Sequence, residues 1–348
     1  MEDKLLEESN VFMMRKKIPC RPMLCLLIIV IAGRLSFGCE KQRQTEPISE
    51  TRFLLNTVCT ITIYDMTDSD LLRSAFELIE RYEAVFSVTI EGSDVWRVNE
   101  AGGETVEISY HTANMIRSAV DFAGASGGMF DITIGRLSSL WDFSSDSPPE
   151  QQSITGALQT VDYKQIVLDE HSMRLNDPAA RIDLGGIAKG YIADMVAVFL
   201  MENGVESAVI DLGGNIIAVG HKPDGTLWRI GVREPFGQYG QLLGVLETGQ
   251  AAVVTSGIYE RSFVYEGILY HHILDPFTGK PASSDVISAT ILSENSMTGD
   301  VLSTVAVLIG SQKAVQLFEQ TQGYIGAVMV LENGELVFHG DTSFTVQS

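Results

Sequence analysis

The sequence predicts an α+β fold, a single domain of mostly antiparallel sheet with packed helices, and three observations carry that prediction. Short apolar runs between Ser207 and His339 (VIDLGG, WRIGV, AAVVTSG, SFVYEG, LYHHIL, VISATIL, YIGAVMVL) are separated by Gly, Asp and Pro, as antiparallel strands are. Three longer segments place apolar residues at helical spacing. No Pro/Gly/Ser-rich linker interrupts residues 52–345, so nothing divides the chain into two domains. Composition agrees: 45% hydrophobic and 20% charged residues supply a sizeable core and exclude disorder and collagen-like repeats.

Residues 1–39 read as an export leader. Arg15, Lys16, Lys17 and Arg21 precede an apolar stretch from Met23 to Gly33, and Leu35-Ser36-Phe37-Gly38-Cys39 ends it as a lipobox does, with Phe37 off pattern. At about 1.5 Å of rise per residue that stretch falls short of a hydrocarbon core of about 30 Å, so a removed leader fits better than a permanent span. The expected product is exported and lipid-anchored through Cys39 to a bacterial membrane, on the periplasmic side. Residues 40–51, polar with Pro47, read as a tether, and residues 52–348 as the folded domain. Cys59 is then the one cysteine of that domain, so no intrachain disulfide framework forms. The net charge of −21, with no Lys/Arg run beyond the leader, excludes a nucleic-acid footprint. The same charge leaves the lipid, not electrostatics, to hold the membrane.

Along the domain, Arg52–Asp65 alternates β-branched and polar residues from Thr57 on, which predicts a half-buried strand. Asp68–Phe86 predicts an amphipathic helix behind the cap candidates Asp68 and Ser69. Ser109–Ala125 predicts a second, ended by Gly127-Gly128, and Ile187–Met201 a third, ended by Asn203-Gly204. Ser296–Ile309 and Ser311–Gln322 also turn helical. RIDLGGIAKG at 181–190 is echoed by VIDLGGNIIAVG at 209–220, each reading as a strand entering a tight Gly-Gly turn.

Chemistry concentrates in a few places. In RIDLGGIAKGYIAD a strand delivers Asp183, two glycines admit a ligand to the backbone, and a helix starts near Ile187 with Lys189 in its first turn. That is a phosphate-attracting end or a capped helix with an exposed lysine, and it is neither a Gly-x-Gly-x-x-Gly nor a Walker A loop. His271 and His272 precede an Asp275-Pro276 turn, and alternation lets one imidazole at most enter a given site. Zinc is unsupported, since His111, His171, His221 and His339 show no ligand spacing. Asp300 and Thr304, at i and i+4, share a helix face; the pair suits Mg²⁺, or Asp300 merely answers the helix dipole. Phe130-Asp131-Ile132-Thr133 is accounted for by core packing. Thr255-Ser256-Gly257 and Tyr259-Glu260-Arg261 suggest a polar turn without a nucleophile motif.

Taken in order, FDITIG, DLGGIAKGYIAD, DLGGNIIAVG, TSGIYER, YHHILDPFTGKP and GDVLST resemble the ApbE family, the FAD:protein FMN transferases of bacterial envelopes, over about residues 52–340. The resemblance implies a T-fold-like architecture with FAD in a cleft, its pyrophosphate on Mg²⁺. A target threonine attacks the FMN-side phosphorus, AMP leaves, and FMN stays as a phosphoester. It implies metal ligands at Asp300 and Thr304, with Ser303 between them and the Gly186 carbonyl. It implies FAD contacts at Asp183, Lys189, Met129, Phe130, Asp131 and the backbone of Ile273, with Leu55 and Thr89 lining the flavin and adenine side. His272 matches the family's base. Acceptors are envelope redox proteins with an Asp-x-x-Ser/Thr-Gly-Ala-Thr segment; Ile154-Thr155-Gly156-Ala157-Leu158 here lacks the final threonine. Leu55-Asn56-Thr57 stands where the family has Met-Gly-Thr, and Cys59 where an aromatic residue often follows. These departures keep two alternatives open: an Mg²⁺-dependent FAD pyrophosphatase giving FMN and AMP, and a non-catalytic FAD-binding lipoprotein.

Overall fold

The structure, a computed structural model, describes residues 46–145, 147–238 and 240–347. The expected leader, Cys39 and the first part of the tether lie outside the described residues. The first half of the chain runs β1 (Ile48–Leu54), β2 (Thr57–Ile63), α1 (Ser69–Phe86), α2 (Asp94–Glu100), β3 (Val106–Glu107), α3 (Tyr110–Ala125), α4 (Gly135–Ser138), α5 (Gln151–Leu158), β4 (Ile166–Leu168), β5 (Ser172–Leu175) and α6 (Ala188–Glu202). The second half runs β6 (Ser207–Leu212), β7 (Asn215–Gly220), β8 (Trp228–Arg233), β9 (Leu242–Thr248), β10 (Ala251–Gly257), β11 (Ser262–Tyr265), β12 (Ile268–His271), β13 (Val286–Ser293), α7 (Ser296–Ile309), α8 (Ser311–Phe318), β14 (Tyr324–Leu331), β15 (Leu336–Gly340) and β16 (Ser343–Val346).

The α+β expectation holds. Eight strands form one antiparallel sheet in the order β1-β2-β6-β7-β10-β13-β14-β15. One face packs on α1, α6 and α7 through Ile61, Phe76, Ile79, Ile192, Val196, Ile210, Val254, Ile291 and Leu302. The other face is closed by the small sheet β16-β9-β8, whose Trp228, Ile230, Val232 and Leu246 meet Ala218, Val253, Leu292 and Val328. Buried on both faces, β13 and β14 are nearly continuous apolar runs. Helix ends obey local chemistry: Asp68 accepts from Asp70 N–H and Leu71 N–H to cap α1, and Ser109 accepts from Thr112 N–H to cap α3. Among the described residues no helix is long and apolar enough to cross a membrane.

Four expectations change. Arg52–Asp65 is a hairpin, not one strand: Leu55 and Asn56 both take φ near +55° (54° and 56°) and turn the chain between β1 and β2. The hairpin draws Ile48–Thr51 out of the expected tether, because Ile48 pairs with Ile63 and the hydroxyls of Ser49 and Thr62 and of Thr51 and Thr60 bond at 2.8 and 2.9 Å. The two Asp-Leu-Gly-Gly segments are not alike. Gly213 and Gly214, at φ +69° and +99°, make the β6–β7 turn, where a Cβ on Gly213 would lie 2.1 Å from Thr57 Oγ1. Arg181–Leu184 joins no sheet: one parallel bridge to Ile134 and the Asp183 N–H to Ile132 O bond hold it, and helix-forming Ala188-Lys189 follows instead of a β-branched run. Thr255 and Ser256 are not a turn but the end of β10, paired with Thr290 and Ala289 of β13.

Candidate functional site

The site is built where α6 and α7 cross over the end of β10. Gly190 makes the crossing tight: a Cβ there would sit 2.5 Å from Ser296 O and 2.6 Å from Met297 Cα, both backbone atoms. Asp300, buried on α7, accepts the Gly190 N–H through Oδ2 at 2.9 Å. Its Oδ1 faces the Lys189 ammonium at 3.9 Å, an ionic approach too long for a hydrogen bond. Ser303 Oγ donates to Asp300 O at 3.0 Å and lies 2.8 Å from Ser256 Oγ, which is 3.3 Å from Thr304 Oγ1. A carboxylate, a lysine and three hydroxyls therefore share one corner. Asp194, one turn beyond Gly190 on α6, accepts Ser296 N–H at 2.7 Å and Met297 N–H at 2.9 Å. Burial, above all, pushes its carboxyl up to about 6, with Asp300 adding to the rise.

His272 follows β12 directly, its N–H donating to Arg261 O at 3.1 Å. The two histidines face apart, as alternation predicts. Buried His271 holds Ala282 O through Nε2 at 3.1 Å, whereas the His272 ring meets Phe143 edge-on at 6.4 Å. Nδ1 of His272 is buried with no partner among the described residues. Burial, then the charges of Arg261, His271 and Lys189, hold its pKa down to about 4, so the imidazole is neutral at pH 7. Lys189, which faces Asp300 Oδ1, also disfavours the charged form of His272. Beside it opens a hollow of about 480 Å³ lined by Asn56, Trp141–Ser144 and Glu260–Ser262. Trp141 anchors that wall by donating Nε1–H to Gly279 O at 3.2 Å.

The remaining candidates divide. The Phe130 ring lies against Gly186, where a Cβ would come within 3.1 Å of it, so the Phe-Asp and Leu-Gly-Gly motifs pack together. Asp183 shapes its own loop, accepting Gly185 N–H at 2.8 Å and Ser138 Oγ–H at 2.7 Å. Asp131 turns inward: Oδ1 accepts Thr133 N–H and Oγ1–H, and Oδ2 accepts Tyr163 N–H, so both oxygens are used by the protein. The Ile273 carbonyl is taken by Ala282 N–H at 2.8 Å. Leu55 donates its N–H to Glu83 Oε1 at 3.0 Å. Met129 lines a separate hollow of about 580 Å³ with Leu308, Gly310, Lys313 and Leu317. Exposed Thr89 bonds to Ser87, and no hydrogen bond or ion pair joins it to the Asp300 corner among the described residues. Ser256 and Asp194 join the site without an individual role expected from the sequence. For Asp194 the signal was present, since Gly190 and Asp194 lie at i and i+4 and face the same neighbour.

An oxygen-seeking cation fits the corner. Asp300 Oδ1 accepts no hydrogen bond, and the hydroxyls of Ser303 and Thr304 stand one turn further along the same helix. One carboxylate with hydroxyls is a donor set that leaves coordination places for water and phosphate oxygens, as Mg²⁺ uses.

The ApbE family pattern matches residues 55–329. FAD:protein FMN transferase from Klebsiella pneumoniae is 35% identical over 275 residues, covering 78% of this chain and 85% of that protein. The enzyme of the same name from Treponema pallidum is 30% identical over 320 residues, covering 86% and 88%. Among solved structures, the ApbE protein from Thermotoga maritima superposes with a TM-score of 0.77 at 33% identity, covering 84% of this chain and 96% of that one. Flavin transferase ApbE from Vibrio cholerae superposes with a TM-score of 0.76 at 26% identity, again over 84% and 96%.

Proposed function

This chain belongs to the ApbE family, and on that premise we propose that it transfers FMN from FAD to a hydroxyl of a protein acceptor, with Mg²⁺ at Asp300. The observation that carries the reading is the junction of Lys189, Asp300 and the hydroxyls of Ser256, Ser303 and Thr304, with a neutral His272 under the influence of the same Lys189 charge. Asp300, Thr304, Ser303 and the Gly186 carbonyl would hold the cation, which when bound neutralises pyrophosphate charge. Lys189 adds a point charge toward the phosphates. His272 takes the proton of the attacking hydroxyl; the new bond joins that oxygen to the FMN-side phosphorus, the pyrophosphate bridge breaks, and AMP leaves with the bridging oxygen.

Phe130 and Asp183 shape the pocket walls, and Met129, Asp131 and Ile273 reach FAD through backbone groups. Leu55 borders the flavin, and Thr89 the adenine side. The acceptor carries the Asp-x-x-Ser/Thr-Gly-Ala-Thr segment. Residues 15–39 support export and anchorage at Cys39 on the periplasmic side of the membrane. Loss of membrane fractionation and of fatty-acid labelling in Cys39→Ala tests that part.

Incubating the protein with FAD and Mg²⁺, with and without an acceptor domain, tests the chemistry by AMP release and acceptor mass. An acceptor gaining FMN less water is expected. AMP with free FMN regardless of acceptor identifies a pyrophosphatase, and intact FAD throughout identifies a carrier. The chain itself gains no covalent flavin, because Leu158 stands where the acceptor threonine of such a segment belongs, at the end of α5.

A further inference from the structure

Asp194 ends the motif that opens at Arg181, and neither FAD binding nor the cation gives it a role. Its geometry is reciprocal to that of Asp300. From α6, Asp194 accepts the first two N–H groups of α7, those of Ser296 and Met297. From α7, Asp300 accepts the Gly190 N–H in the first turn of α6. Each helix start is thus held by a carboxylate of the other. For α6 this matters, because Ile187 at its cap position offers no side-chain bond. With only the Gly190 backbone between the helices at their crossing, these bonds add to core packing in fixing the slide and rotation of α7 against α6.

The arrangement carries a cost that a plain cap would avoid. Asp194 is half-buried, and beyond desolvation the Asp300 charge further disfavours its ionised form. A serine or asparagine would cap α7 without that repulsion. What a carboxylate adds is two acceptors, one for each N–H, and so a fixed orientation.

We propose that Asp194 is a positioning residue for Asp300: by clamping the first turn of α7 to α6 it sets where the free Oδ1 of Asp300 stands relative to Lys189 and the bound cation. The proposal rests on the reading of Asp300 as a metal ligand.

The test titrates Mg²⁺ into the full-length protein with FAD and without acceptor, following flavin fluorescence anisotropy and, in parallel, the melting temperature. Asp194→Asn raises the Mg²⁺ midpoint at least about tenfold, the range found when a residue orienting a metal ligand is replaced. Ser296→Pro removes one of the two N–H donors at a helix position that accepts proline, and shifts the midpoint the same way; it carries the test should Asp194→Asn not fold. Asn295→Ala removes the ordinary cap of α7, the bond from Thr298 N–H at 2.9 Å, and lowers the melting temperature while leaving the midpoint within about twofold. The proposal is overturned if Asp194→Asn, or Ser296→Pro in its place, leaves the midpoint within about twofold of wild type. It is also overturned if Asn295→Ala moves the midpoint as far for the same loss of melting temperature. Asp300→Asn separates the two readings: an unchanged midpoint there sinks the metal-ligand assignment itself.

Discussion

Replacing His272 with glutamine removes the one imidazole that faces the cleft while keeping a polar side chain of similar reach. The pH dependence of the native protein then reports on the same group. Burial and the neighbouring positive charges hold the His272 pKa at about 4. At pH 5 such an imidazole is roughly nine-tenths neutral, whereas one at the ordinary value near 6.5 is roughly one-thirtieth neutral. The rate of AMP release at saturating FAD, Mg²⁺ and acceptor should therefore show no fall that depends on His272 until pH nears 4, any fall near 6 belonging to Asp194 and persisting in the glutamine variant. General-base assistance is worth about 10²–10⁴-fold, so His272→Gln should lower the rate above that pH by this factor and flatten the acid limb near 4. Quenched-flow measurement of AMP across pH 4–8 checks both. An acid limb centred near 6.5 that His272→Gln abolishes, or a glutamine variant within tenfold of wild type, would falsify the assignment of His272 as base with its pKa held down. Stability follows the same sign: the unfolded chain binds the proton that the folded one refuses, so the fold loses stability as pH falls from about 6.5 toward 4.

Gly190→Ala should gain about 1 kcal/mol of helix propensity and lose about 1–3 kcal/mol to overpacking against the Ser296 and Met297 backbone, for a lower melting temperature and weaker Mg²⁺-dependent FAD binding. Asp131→Ala strips the acceptor from two backbone N–H groups and a hydroxyl, and a loss of roughly 2–3 kcal/mol by urea unfolding is expected. A stability unchanged by that substitution would return Asp131 to the ligand. Burial pushes the Cys59 thiol up to about 11, so iodoacetamide at pH 8 should leave Cys59 unmodified in the native protein and label it in urea, as peptide mass mapping would show.

Local order was legible in the residues themselves. Apolar spacing and the caps Asp68 and Ser109 delimit α1 and α3, and the alternation that separates His271 from His272 survives intact in the structure. The Asp300 and Thr304 spacing likewise put both on one face, and six ordered motifs pointed to the family. Legibility failed where one local pattern has two structural uses. Asp-Leu-Gly-Gly turns a hairpin at Gly213-Gly214 but opens a helix at Gly185-Gly186, and β-branched residues from Thr57 on read the same in a single strand or a hairpin arm.

By itself the sequence determined the long helices and most strands, the α+β class and the chemical kinds in the site, because propensity, capping and periodicity act over a few neighbouring residues. Tertiary packing alone decided which of those groups meet. Gly190 N–H finds Asp300 across 110 positions, Asp194 finds Ser296 across 102, and Ser256 finds Ser303 across 47. It also turned Asp131 inward, satisfying both its oxygens on Thr133 and Tyr163. Such pairings depend on how closely two helices pack and on how strands are ordered in a sheet. Those outcomes arise from the burial of many apolar side chains at once, and no short stretch of sequence contains them.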